Sequence, residues 1–168
     1  MKAIYSLAML GLAVAWGSSV FAEDAGDKMV AEMKKCDVCK NLTDNMELMI
    51  SMGWETHKID NGMLSLTTVP KDKKKDFDKV NTKMRRAIDQ VKSDVKAGKE
   101  VHLCSFCSEM AQLMKAGAKE QHIETESGEI ELCTSDDPAV VKKIHELADK
   151  AIAIQKQIAE SQKTASLR

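Results

Sequence analysis

The chain has 168 residues, with 25 Lys and Arg against 26 Asp and Glu, for a formal net charge of −1. That balance offers no electrostatic field for nucleic acid and no strong attraction to a membrane surface. Aromatic residues are only 4% of the sequence, so platforms for stacking nucleobases or sugars are nearly absent.

The first 22 residues read as an address. Lys2 gives a positive start, Ala3–Trp16 is apolar, and Ser18–Ala22 ends in the small-residue pattern of a signal peptidase site. The apolar run is too short, and too soon followed by Glu23-Asp24, for a stop-transfer segment, so stable membrane insertion is not expected. No Cys lies near the cut, which argues against a lipid anchor. The expectation is a chain of about 146 residues, cleaved after Ala22 and exported to a periplasm or secreted. Cleavage leaves Trp54, Phe77 and Phe106 as the aromatics and keeps nine of eleven Met, so the core must be built from Leu, Ile, Val, Ala and Met. A chain of this size buries roughly two-thirds of its unfolded surface, enough for one core.

From Asp27 to Met52 the spacing predicts a helix, with Met29, Met33, Cys36, Leu42, Met46, Met49 and Ile50 recurring at three- and four-residue steps. Gly53 stops it. Trp54–Asp60 and Met63–Val69 alternate around Asn61-Gly62, a hairpin signal. Pro70 then admits a helix over Lys71–Lys96, closed by Gly98. The order repeats. A helix runs from Val101/Leu103 to Met114, Gly117 caps it, and strands Glu120–Thr125 and Glu129–Thr134 flank Ser127-Gly128. Ser135-Asp136-Asp137-Pro138 starts a last helix striped by Val141, Ile144, Leu147, Ala148, Ala151, Ile154 and Ile158. Residues 163–168 are expected to fray.

Landmarks in the two passages match at a nearly constant offset: 68 at the cysteine pairs, 66 at Gly62/Gly128 and Leu66/Leu132, 64 at Ile88/Ile152. The expected fold class is therefore α+β, a tandem duplication of an αββα unit over residues 23–98 and 99–162. Each unit alone leaves a helix stripe and a sheet face uncovered, so the two are expected to form one pseudo-symmetric domain.

Two Cys-x-x-Cys pairs carry the chemistry, Cys36/Cys39 and Cys104/Cys107. On a helix, i and i+3 share a face, so each pair presents two sulfurs side by side. That is half of a tetrahedral site for zinc, or for a softer ion such as Cu(I). A duplicated fold can bring both halves to one point. Two other readings remain open: structural disulfides, which an exported compartment permits, and thiol–disulfide exchange. Exchange is argued against by the helical pattern ahead of Cys36, because thioredoxin-like sites follow a strand. No His follows either pair, so covalent haem attachment is not signalled. No Ser-His-Asp, paired-carboxylate or Gly-rich phosphate pattern points to an enzyme.

His102, two residues before Cys104, is a candidate further ligand or a partner for the Cys104 thiolate. With Ser127-Gly128 as the turn, His122 falls opposite Cys133, the odd cysteine, and the two become weaker candidate ligands; the plainer reading is a partly exposed Cys beside a surface His. His57, opposite Leu66 in the equivalent register, reads as half-buried and structural, and His145 as surface. Met46 and Met49 share an apolar stripe with Leu42 and read as core. The expected partners are a zinc or copper ion and a periplasmic protein.

Overall fold

Alternating residues on either side of a two-residue turn give the chain two β-hairpins, and the hairpins join along one edge. The computed structural model describes residues 25–166. The expected signal peptide and its cleavage site lie outside the described residues. Three short helices come first: α1 (Ala25–Lys35), α2 (Lys40–Thr43) and α3 (Met46–Ser51). Strands β1 (Gly53–Ile59) and β2 (Gly62–Thr68) follow. A 3₁₀ turn at Lys71–Lys73 leads into α4 (Lys74–Lys96). The second half holds α5 (Ser105–Lys115), β3 (Lys119–Thr125), β4 (Gly128–Thr134) and α6 (Pro138–Ser166). Helix backbone thus continues through Lys163, where fraying was expected.

The four strands form one antiparallel sheet in the order β1-β2-β4-β3. The central pairing is symmetric under exchange of its strands. Gly62 faces Thr134 while Gly128 faces Thr68, and Ser65 faces Glu131 at the midpoint. The ends match too: the Val69 amide donates to the Ser127 carbonyl, and the Ser135 amide to the Asn61 carbonyl.

Both hairpin registers differ from expectation. The turns are Asp60-Asn61 and Glu126-Ser127, so His57 faces Leu64 and His122 faces Glu131. The glycines are needed one step later, as the first residues of β2 and β4. A Cβ on Gly62 would sit directly on the Cys133 carbonyl oxygen, and one on Gly128 on that of Thr67. Close approach of backbones selects these glycines. Gly128 also has φ 148°, whereas Gly62 is not among the positive-φ glycines.

The register error was two residues, so side-chain faces are preserved. Met63 and Cys133 face α6 and pack with Ile144, Leu147 and Ala148 in one apolar cluster. Leu64, Leu66, Ile130 and Leu132 alternate to the other face and are half-buried. A second cluster joins α1, α2, α4 and the cysteine pairs through Met33, Leu42, Phe77 and Val80. Met49 packs against it, as its periodicity predicts.

Candidate metal centre

The single helix expected over 27–52 is broken, and the break makes the site. The Asp37 amide leaves the helix ladder and donates to the His102 carbonyl at 2.7 Å. Cys36–Cys39 becomes a turn, with Cys39 in the N-cap position of α2. A second break follows at Asn45, whose backbone leaves the helical region and whose side chain donates to the Asn41 carbonyl. In the other half Cys104 is the N-cap of α5 and Cys107 lies in its first turn. The positive end of α5 favours thiolate at that place.

Cys39 Sγ lies 3.3 Å from Cys107 Sγ and 3.8 Å from Cys104 Sγ. All four sulfurs, with those of Cys36, fall within 4.8 Å of one another. A disulfide bond is about 2.05 Å long, and all five cysteines are free. Four sulfurs bound at about 2.3 Å to one tetrahedral zinc would be about 3.8 Å apart along each edge. The observed spacing brackets that edge, and it is a cluster compatible with metal binding. Cys36, Cys39 and Cys104 are buried, and Cys107 is half-buried.

Packing thiols together forces them to share protons unevenly. The Cys104 thiol is pushed down because Cys107 and Cys39 donate to its sulfur, and the Cys107 amide adds to this. The Cys39 thiol is pushed up by its hydrogen bonds to Cys104 and Cys107, then by burial. The Cys107 thiol is pushed up chiefly through Cys104.

Two carboxylates hold the halves of the cluster together. Asp37 Oδ2 accepts from the His102 amide at 2.9 Å, closing a two-bond clamp with the Asp37 amide. That bond, then Lys40, holds the Asp37 carboxyl below its usual range. Glu32 Oε2 accepts from the Ser105 amide at 3.1 Å and hydroxyl at 2.7 Å, tying α1 to the start of α5. Sequence reasoning missed both residues; two acids among 26 carry no mark of this role.

His102 contributes its backbone to the clamp. Its exposed imidazole is not in the cysteine group. His122 and Cys133 are not directly opposed, because Glu120 faces Cys133. Cys133 is 0% exposed, not partly exposed as expected, and burial lifts its thiol to about 11, with the Glu120 and Glu131 charges adding to this. His57 is exposed against Glu55. His145 is half-buried, its Nε2 2.9 Å from the Ile59 carbonyl oxygen.

A cavity of about 450 Å³ opens beside the sulfurs of Cys39 and Cys107. Met52, Met84, Met110 and Met114 line it, and so do Glu120, His122, Glu129 and Glu131. Glu129 is buried and accepts from Asn81 at 2.6 Å and Arg85 at 2.6 Å. Burial lifts the Glu131 carboxyl to about 8, with its hydrogen bond to Glu120 adding to this. The expected register already puts these acids on the face of His122; the two-residue shift sets Glu131 in place of Cys133 directly opposite it.

No family model, curated protein or solved structure matches this chain. Among the described residues no helix is long and apolar enough to cross a membrane.

Proposed function

We propose that this chain is an exported, periplasmic protein that binds one thiophilic metal ion, zinc or Cu(I), through Cys36, Cys39, Cys104 and Cys107. The observation that carries this reading is the convergence of four sulfurs within 4.8 Å, from segments 68 residues apart. Neither pair can close a tetrahedron alone. Duplication of an αββα unit is the origin we infer for the two half-sites. The exchange-symmetric β2–β4 pairing supports it. The ion would be reached from the cavity, which Cys39 and Cys107 line and where Cys107 is the more exposed. A protein partner that loads or receives the ion would dock at that opening.

A second reading has its own support. Cys39 Sγ and Cys107 Sγ are 3.3 Å apart, close enough that oxidation would join the two halves through a disulfide across the pairs.

Chelator competition separates the two. Reduced protein is expected to bind one Zn²⁺ or Cu(I) per chain, and C36S/C39S and C104S/C107S each to lose nearly all affinity. Protein isolated from the exported fraction should begin at Glu23 and carry metal with free thiols. Equal binding by wild type and C104S/C107S would overturn the metal reading. Loss of two hydrogens in the intact mass, with Cys39 and Cys107 joined and no metal, would establish the disulfide instead.

A further inference from the structure

We propose that Glu120, His122 and Glu131 form a second metal site, built from oxygen and nitrogen donors, that takes a divalent first-row cation. It lies on the same cavity as the sulfurs but uses none of them.

The three donor atoms come within 4.8 Å of one another. Strand geometry puts them there. Glu120 and His122 are alternate residues of β3, and Glu131 is directly opposite His122 on β4. Two ligands on opposite sides of an ion, with bonds of about 2.1 Å, are about 4.2 Å apart. Small side-chain rotations therefore close the site.

The imidazole is already oriented as a ligand. His122 Nδ1 lies 2.8 Å from Glu129 Oε1, and Arg85 and Asn81 fix Glu129 in turn. A carboxylate that takes the Nδ1 proton leaves Nε2 as the free donor, the support that metal-binding histidines commonly have. His122 Nε2 points toward Glu120, 3.5 Å away. Among the described residues, no Lys or Arg forms an ion pair with Glu120 or Glu131. A hydrogen bond joins the Glu131 and Glu120 carboxyls, with the Arg85 charge acting on Glu131 from farther off, and a bound cation would take the place of the proton that bond requires.

The other half of the molecule serves as an internal control. At the 66-residue offset, Trp54, Thr56 and Ser65 occupy the places of Glu120, His122 and Glu131, and Thr56 faces Ser65 as His122 faces Glu131. Met63 stands in the place of Glu129 and is buried under α6. The sheet thus builds the same position without charge. The acids and the imidazole are not demanded by the fold.

Mn²⁺ is the probe, because a hard cation prefers carboxylate and imidazole to thiolate. Titration of reduced protein, with free Mn²⁺ followed by its paramagnetic resonance, should show one ion bound per chain. E120Q and H122Q should each weaken binding by about tenfold or more, and E129Q by at least about tenfold through loss of the Nδ1 partner. C104S/C107S should bind Mn²⁺ as wild type does, so failure of the thiolate reading leaves this one standing, and the reverse. Glu120 is exposed, so E120Q is expected to fold even where H122Q does not. No Mn²⁺ or Zn²⁺ taken up by C104S/C107S, or an E120Q titration superimposing on wild type, would overturn the proposal: His122 would then be a structural link between Glu120 and Glu129.

Discussion

Replacing Asp37 by Ala perturbs the sulfur cluster while leaving every sulfur in place. It removes the acceptor of the His102 amide, a charge-assisted bond of 2.9 Å. Such bonds contribute roughly 1.5–3 kcal/mol when shielded. The Asp37 side chain is 38% exposed, so solvent reduces this to about 1 kcal/mol, and the exposed Lys40 contact adds little. The Asp37 amide still donates to the His102 carbonyl, so the segments stay joined by one bond. If that clamp holds the two half-sites in register, metal affinity falls about fivefold. Asp37→Asn keeps an uncharged acceptor and should recover part of the loss. The assay is competition of reduced protein against a chromophoric chelator, with thermal unfolding measured on the same samples. Affinity unchanged in D37A would refute the clamp and assign the alignment of the pairs to apolar packing alone.

Gly62→Ala drives a methyl onto the Cys133 carbonyl and forces β2 from β4, so it should destabilise by about 2 kcal/mol or more in urea unfolding. Gly98→Ala is the comparison: φ is +72° with open space around it, and the cost should stay near 1 kcal/mol. If the two variants unfold alike, the central register is wrong. Cys133→Ser puts a hydroxyl into the α6 cluster and should cost about 1–3 kcal/mol, with metal stoichiometry by atomic absorption unchanged. Glu131 has a folded-state pKa of about 8, above its unfolded value, so the native state holds the extra proton between these values. Stability in the presence of chelator should therefore fall as pH rises from about 5 to 8, by on the order of a few kcal/mol. Glu131→Gln should flatten that slope and be the more stable protein at pH 8; a parallel slope in both would dismiss Glu131 as its source.

What the sequence reveals and what it hides divide along a physical line. Elements set by periodicity are legible: the four strands, the long α4 and α6, and the apolar stripe of Ile144, Leu147 and Ala148. Convergence of the cysteine pairs is expected from their spacing and the near-constant offset between the two passages. What fails depends on contacts between distant segments. Nothing near Asp37 says that its amide will leave the helix for a carbonyl 65 residues away. The hairpin register failed for a related reason. Asn61-Gly62 is the strongest local turn signal, but Gly62 is required by the backbone of β4 lying against it. Local preference and tertiary demand chose the same residue for different positions. His122 was therefore paired with the wrong neighbour, and the acids around it were passed over.

The clamps also bear on what a bound metal would do for this protein. In a zinc finger the unbound chain is unfolded, and metal binding is folding. Here the cluster around Cys133, Ile144 and Leu147 contains no proposed ligand of the sulfur site. The sheet is complete without an ion, and Asp37 and Glu32 fix both cysteine segments by hydrogen bonds that need no metal. Ordering of the ligands is then achieved during folding, so ion binding carries little of that entropic cost. Such a site can release its ion and stay folded. The half-buried Cys107, facing the methionine-lined cavity, gives a competing ligand one sulfur to displace first. Cys36, 1% exposed, is at the closed side of the cluster and is the last that an incoming ligand can reach. A folded metal-free state with one accessible edge would suit a site that takes up and hands on an ion better than one that needs the ion to stand.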